Sequence, residues 1–220
     1  IDPEGKTVTV HTLDSGKFYT ETYDKLILAP GAKPTVPALS GVDSERVFTL
    51  RTVEDTLRIR RFVEDQKPKT AVLAGGGFIG LEMAENLLHE NIQTTLLQRS
   101  GQVMPPLDYD MACQLHAYLR SKGLDLRLNS PIAGYEETEN GIKILLKDGS
   151  SLITDMVLLA IGVTPDNHLA KDAGLTLGAK DAIAVNEHLQ TSDQDIYAVG
   201  DAIEVTHFVS GVKTVIPLAG

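Results

Sequence analysis

The chain of 220 residues has no tryptophan, a single cysteine and only 5% aromatic residues. One cysteine, Cys113, excludes an intrachain disulfide, and no CxxC or Cys/His spacing offers a metal site. That usage fits a reducing compartment, and a cytoplasmic location is expected. Cations are scarce: 20 Lys and Arg stand against 30 Asp and Glu, a net charge of −10. Such a balance argues against nucleic acid or an anionic membrane as the main partner, while leaving room for a local basic site. No apolar run approaches the ~20 residues that span a bilayer, and no signal-peptide pattern is present. Repeats and low-complexity tracts are absent as well. The first residue is Ile1 and the pattern stops midway at Gly220, so both ends are expected to be cuts from something longer.

What is present is enough for one good core or two smaller ones, with 42% apolar residues. The richest stretch is Gly75-Gly76-Gly77-Phe78-Ile79-Gly80. It follows the apolar run Ala71–Ala74 and opens an apolar-periodic segment through Leu87. That is the strand, turn and helix setting of a dinucleotide-binding loop. Gly75 allows the tight turn, Gly77 lets backbone approach a pyrophosphate, and Gly80 lets helix pack on strand. The pyrophosphate would rest on N–H groups at the helix N-terminus. Alone, the motif leaves a ligand-free glycine turn open.

Along the chain, residues 7–12 alternate like a strand and Asp14-Ser15-Gly16 reads as a turn. Residues 25–29 read as a buried strand, 32–44 as a crossing loop, and 52–63 as a helix ending before Pro68. The nucleotide unit follows: strand 71–74, helix 78–90, strand 94–97, helix 108–121 and strand 124–128. Three β-like runs, 132–138, 142–147 and 151–154, break strict β-α alternation and suggest a crossover made of strands. Residues 156–161 form an apolar run typical of a strand buried on both faces. Further strands are expected at 183–185 and 196–199.

Four motifs occur in order: Tyr23-Asp24-Lys25-Leu26-Ile27-Leu28-Ala29-Pro30-Gly31, the glycine loop, Ala160-Ile161-Gly162-Val163-Thr164-Pro165, and Thr191-Ser192 through Ile196-Tyr197-Ala198-Val199-Gly200-Asp201. Together they resemble the FAD-dependent pyridine nucleotide–disulfide oxidoreductases. Gly76-Gly77-Phe78-Ile79-Gly80-Leu81-Glu82 and Pro217-Leu218-Ala219-Gly220 are most similar to the NADH oxidase and coenzyme A-disulfide reductase branch. The resemblance implies an α/β chain: a Rossmann-like three-layer NAD-binding domain with a β-meander crossover, plus incomplete halves of a second, FAD-binding Rossmann-like domain. It puts the end of the first FAD segment at 1–51, the NAD(P) domain at 52–165 and the start of the returning FAD segment at 166–220. It further implies NAD(P)H and FAD as cofactors and a small-molecule oxidant: a disulfide, persulfide, peroxide or oxygen. An intact homodimer is expected, with this piece a monomer that binds nucleotide without turning over. The redox cysteine would belong to an absent amino-terminal part. Two other readings share some of these motifs: a stand-alone NAD-binding regulatory module, and a reductase serving an electron-transfer protein such as a ferredoxin.

By the same resemblance, Asp201 after Gly200 accepts a hydrogen bond from the flavin ribityl chain; a helix N-cap is the plainer role. Gly162 lies where ligands gather, at the carboxyl end of a buried strand. Leu218 and Ala219 resemble a helix start beside the flavin ring. Phe78 matches an aromatic gate over the nicotinamide pocket, with a core aromatic nearly as good a reading. Ile79 continues that helix start, and Glu82 matches a glutamate near the nicotinamide carboxamide, or a solvated helix residue. At the end of the second strand, a ribose-binding Asp or Glu is the usual occupant; here Gln98 and Arg99 stand instead. A carboxylate would repel a 2′-phosphate by roughly 1–4 kcal/mol at about 4 Å. Gln98 removes that repulsion and Arg99 can pair with the phosphate, so NADPH is expected to be at least tolerated. Cys113 is expected to be a structural, buried thiol. His89, His116 and His207 are expected to be incidental.

Overall fold

A computed structural model describes residues 1–217. Two compact units emerge among them: residues 34–162, and residues 1–33 together with those from 163 onward. The first segment carries β1 (Thr7–Thr12), β2 (Lys17–Thr22), β3 (Leu26–Leu28) and β4 (Ala32–Pro34). The continuous unit runs β5 (Val47–Thr49), α1 (Val53–Gln66), β6 (Thr70–Ala74), α2 (Phe78–His89), β7 (Gln93–Leu97), α3 (Tyr109–Ser121), β8 (Asp125–Arg127), β9 (Ile132–Thr138), β10 (Gly141–Leu146), β11 (Ser151–Thr154) and β12 (Met156–Leu159). The return segment carries β13 (Val163–Pro165), α4 (His168–Asp172), β14 (Ile196–Ala198), β15 (Val205–Thr206) and β16 (Lys213–Thr214).

In the 34–162 unit, five parallel strands lie in the order β5-β12-β6-β7-β8. Strand alternation sends successive side chains to opposite faces. Leu73, Met156 and Leu158 join Ile59 of α1, Ala84 and Leu87 of α2, and Leu115 and Leu119 of α3 in one core. Val72, Ala74, Val157 and Leu159 join Tyr135, Ile142, Ile144 and Leu146 of the antiparallel meander β9-β10-β11 in another. Helices, parallel sheet and meander are therefore three layers, as the sequence anticipates. The expected strand crossover is β9–β11, returning the chain to the sheet's middle as β12.

The helix expected at 52–63 runs to Gln66. Thr52 caps it reciprocally: its hydroxyl accepts from the Asp55 N–H, and the Asp55 carboxylate accepts from the Thr52 N–H. The compact unit begins at Pro34 and takes in β5, the sheet's edge strand, which pairs with β12.

In the other unit, β1 and β2 form an antiparallel hairpin, and β3 pairs in parallel with β14. Leu28, Ile183, Ile196, Ala198 and Ile203 centre its core. Asp195, at the start of β14, is buried and takes the Lys25 ammonium at 2.5 Å and that of Lys6 besides. The strand expected at 183–185 does not form. Ile183 makes only isolated bridges to Leu177 and Ile203, and the ladder on neither side extends beyond them: the Ile183 N–H goes to the Ala202 carbonyl and the Ala184 N–H to that of Thr176.

Candidate functional site

The parallel sheet changes direction at β6: α2 carries the chain to β7 on one side, while β12 sits on the other. Ligands of open α/β sheets gather outside the carboxyl ends of the strands at such a point. Residues 75–80 fill that place. Gly75 has φ +105°, and a β-carbon there would collide with the Ala160 carbonyl group at the end of β12. Gly80 is equally constrained, since its β-carbon would strike the Gly75 carbonyl oxygen. A β-carbon on Gly76 would lie 2.5 Å from Val103 Cγ1.

Gly77 is different. Its backbone (φ −86°, ψ −172°) is extended, and its β-carbon would meet nothing within 4 Å. Packing therefore gives no reason for glycine at this position. Gly77 is the N-cap of α2 and offers no side chain to it. The first intrahelical bond runs from the Leu81 N–H to the Gly77 carbonyl at 3.0 Å. The N–H groups of Phe78, Ile79 and Gly80 precede that first bond, so they are the donors left over at the positive end of the helix dipole.

Phe78 is 58% exposed, which removes the core-aromatic reading. Ile79 and Ile161 are exposed as well, and the Ile161 Cα lies 3.2 Å from the β-carbon position of Gly75. These side chains give the loop an apolar border. Glu82 is exposed one turn into α2. Gly162 has φ +109° and open space around it, and its carbonyl accepts from the Thr35 N–H at 2.9 Å.

Gln98 is buried, and its amide is already engaged. Its Oε1 accepts from the Gly76 N–H at 3.0 Å; its Nε2 donates to Ser100 Oγ at 2.7 Å and to the Gln102 carbonyl at 2.9 Å. The geometry gives it the task of tying β7 to the glycine loop, which the sequence did not reveal. Arg99, next along, is exposed and has no carboxylate partner among the described residues.

In the other unit, Gly200 (φ +76°) and Asp201 follow β14. Asp201 is half-buried, and no intrachain partner holds its carboxylate among the described residues. Leu218 and Ala219 lie outside the described residues.

The profile of the pyridine nucleotide-disulphide oxidoreductases matches residues 1–219. The chain belongs to the pyridine nucleotide-disulphide oxidoreductase family. An NADH oxidase of Methanocaldococcus jannaschii is 40% identical over 99% of this chain and 48% of its own length. The reduced Bacillus anthracis protein CoADR-RHD superposes with a TM-score of 0.95 at 47% identity, covering 99% of this chain and 39% of that one. An engineered water-forming NADPH oxidase derived from the Lactobacillus brevis enzyme, bound to NADPH, superposes with a TM-score of 0.90 at 31% identity, covering 99% and 48%. The chain spans about half the length of the curated relatives it matches.

For this member of the family two expectations need correction. Cys113 is exposed, not buried. The inward face of α3 is set by Ala112 and His116, one turn apart, with Leu115 and Leu119 packed beside them, which leaves position 113 outside. His116 is not incidental: it is buried, and its Nε2 accepts from the Val103 N–H at 3.2 Å. The signal was available, since 112, 115, 116 and 119 share the apolar stripe. Among the described residues, no helix is long and apolar enough to cross a membrane.

Proposed function

We propose that this chain binds NAD(P)H at residues 75–80 and supplies part of a flavin site, within a flavoprotein that takes hydride from NAD(P)H and passes electrons to a disulfide, persulfide, peroxide or oxygen. Gly77 carries the reading. Among the described residues no packing contact requires glycine there, which leaves room for a ligand at the start of α2, where helix N–H groups suit an anion such as a pyrophosphate. Gly75, Gly76 and Gly80 shape the loop around that space. The exposed Phe78 and Ile79 would offer apolar contact to the nicotinamide end, and the exposed Glu82, one turn on, would hold its carboxamide. Gly162 keeps the mouth at the end of β12 open.

The half-buried carboxylate of Asp201, beside the open turn at Gly200, fits a hydroxyl donor of the flavin side chain. Flavin, when bound, supplies the two-electron chemistry that links hydride to the oxidant. The chain's own residues bind and orient.

Both nicotinamide cofactors are proposed to bind. In the engineered NADPH oxidase an aspartate and the two residues after it are replaced by alanine, arginine and serine. This chain reads Gln98-Arg99-Ser100 at the end of β7, again an arginine and a serine after a residue without charge. With Gln98 committed to Gly76, the 2′-phosphate contact falls to Arg99. The 220 residues alone are proposed not to turn over, because they hold only part of a flavin site. Anaerobic addition of NADH or NADPH to the full-length protein tests the function: bleaching of a flavin absorbance is expected, and an unchanged spectrum would overturn it.

A further inference from the structure

Residues 99–107 form a second loop that grips the glycine loop. Gly76 is held at both ends, its N–H by Gln98 and its carbonyl by the Met104 N–H at 2.8 Å. Met104 has φ +48°, a left-handed conformation that a non-glycine residue keeps only when its surroundings enforce it. Val103, just before it, is fully buried against Gly76. The Val103 N–H points at Nε2 of His116 on α3. A ring nitrogen that accepts this bond carries no proton, so the imidazole is neutral with its hydrogen on Nδ1.

We infer that His116 is a positioning residue for the nucleotide: its neutral ring fastens the Val103–Met104 turn onto Gly76, and its protonation releases that turn and weakens binding. The inference rests on the reading of residues 75–80 as the NAD(P)H loop. His116 acts through a relay, from Val103 to Met104 to Gly76, and then to the N–H groups of α2.

Burial pushes the His116 pKa below its ordinary value, and Arg120 one turn on adds to the shift. Residues 102–107 of the facing loop carry no titratable group. On β8, Asp125 and Arg127 pair with each other. At the start of α3, Asp110 accepts from the Met111 N–H. The ring therefore stays neutral near neutrality and charges only in acid. Once charged, it sets two donors, Nε2–H and the Val103 N–H, against each other in a buried place.

The test is NADH affinity of the full-length protein from about pH 8 to about pH 5, for the wild type, His116→Gln and His116→Leu. Glutamine places an amide oxygen near the Nε2 position and does not titrate. The wild type is expected to lose affinity about tenfold toward the acid end. His116→Gln keeps the neutral-pH affinity and loses the acid decline, whereas His116→Leu binds about tenfold more weakly throughout. An unchanged acid decline in His116→Gln, or wild-type affinity in His116→Leu, would overturn the inference. If the variants do not fold, NMR titration of the wild-type His116 ring decides: a midpoint shared with the affinity profile supports it, and a separate midpoint overturns it. Absence of NADH binding at every pH would instead defeat the loop reading itself, and this inference with it.

Discussion

Alanine at Gly77 and alanine at Gly80 separate a ligand's requirement from the fold's. At Gly77 the backbone is extended and the new methyl group meets no protein atom within 4 Å. Alanine is a poorer N-cap than glycine by a few tenths to ~1 kcal/mol. Stiffening of the unfolded chain offsets this by about 0.4–1 kcal/mol. The expected net change in stability is thus within ~1 kcal/mol. Binding should suffer far more, because the methyl group occupies the space in front of the α2 N–H groups. Loss of one hydrogen bond to a charged phosphate, about 1.5–3 kcal/mol, raises Kd about 10- to 150-fold. At Gly80 the methyl group runs into the Gly75 carbonyl oxygen and stands 3.3 Å from Ala160 Cβ. Overpacking of that kind costs about 1–3 kcal/mol of stability. Thermal melts and NADH calorimetry on both variants give the answer. Gly77→Ala should melt with the wild type and bind poorly, whereas Gly80→Ala should melt earlier. Wild-type NADH affinity in Gly77→Ala would refute the reasoning.

Three further outcomes are expected. Arg99→Ala should weaken NADPH about tenfold and leave NADH unchanged in parallel titrations; equal losses for both would contradict the 2′-phosphate assignment. The Lys25 ammonium, then Lys6, holds the Asp195 carboxyl below the usual carboxylate range. That stability is fully present above the unfolded-state pKa and is lost as pH falls through the lower folded value. Acid unfolding followed by circular dichroism should therefore be less steep in Asp195→Asn, and an unchanged curve would count against the ion cluster. Cys113 should react with a thiol reagent in the native protein, and Cys113→Ser should bind NADH normally; a protected thiol would contradict its exposure.

The glycine loop, the parallel strands and the meander were legible because each has a local signature: glycine spacing, continuous apolar runs, or strands separated by turns. The short strand β5 was not, since three residues with no periodicity take their strand character from pairing with β12. The run at 183–185 looked like a strand from its apolar residues, but partners on both sides of one ladder are a tertiary matter. At the site, Gln98 was visible as a departure from the usual acidic residue. Its bond to Gly76, 22 positions away in sequence, was not. His116 belongs to the same class. Its ring finds Val103 across a loop whose path is set by the left-handed turn at Met104, and no local pattern marks that turn.

Side-by-side calorimetric titration of the protein with NADH and NADPH tests the central claim most directly. Binding of both, with dissociation constants within about tenfold of each other, is the predicted result. Binding of neither, or NADPH weaker than NADH by about a hundredfold, would contradict it.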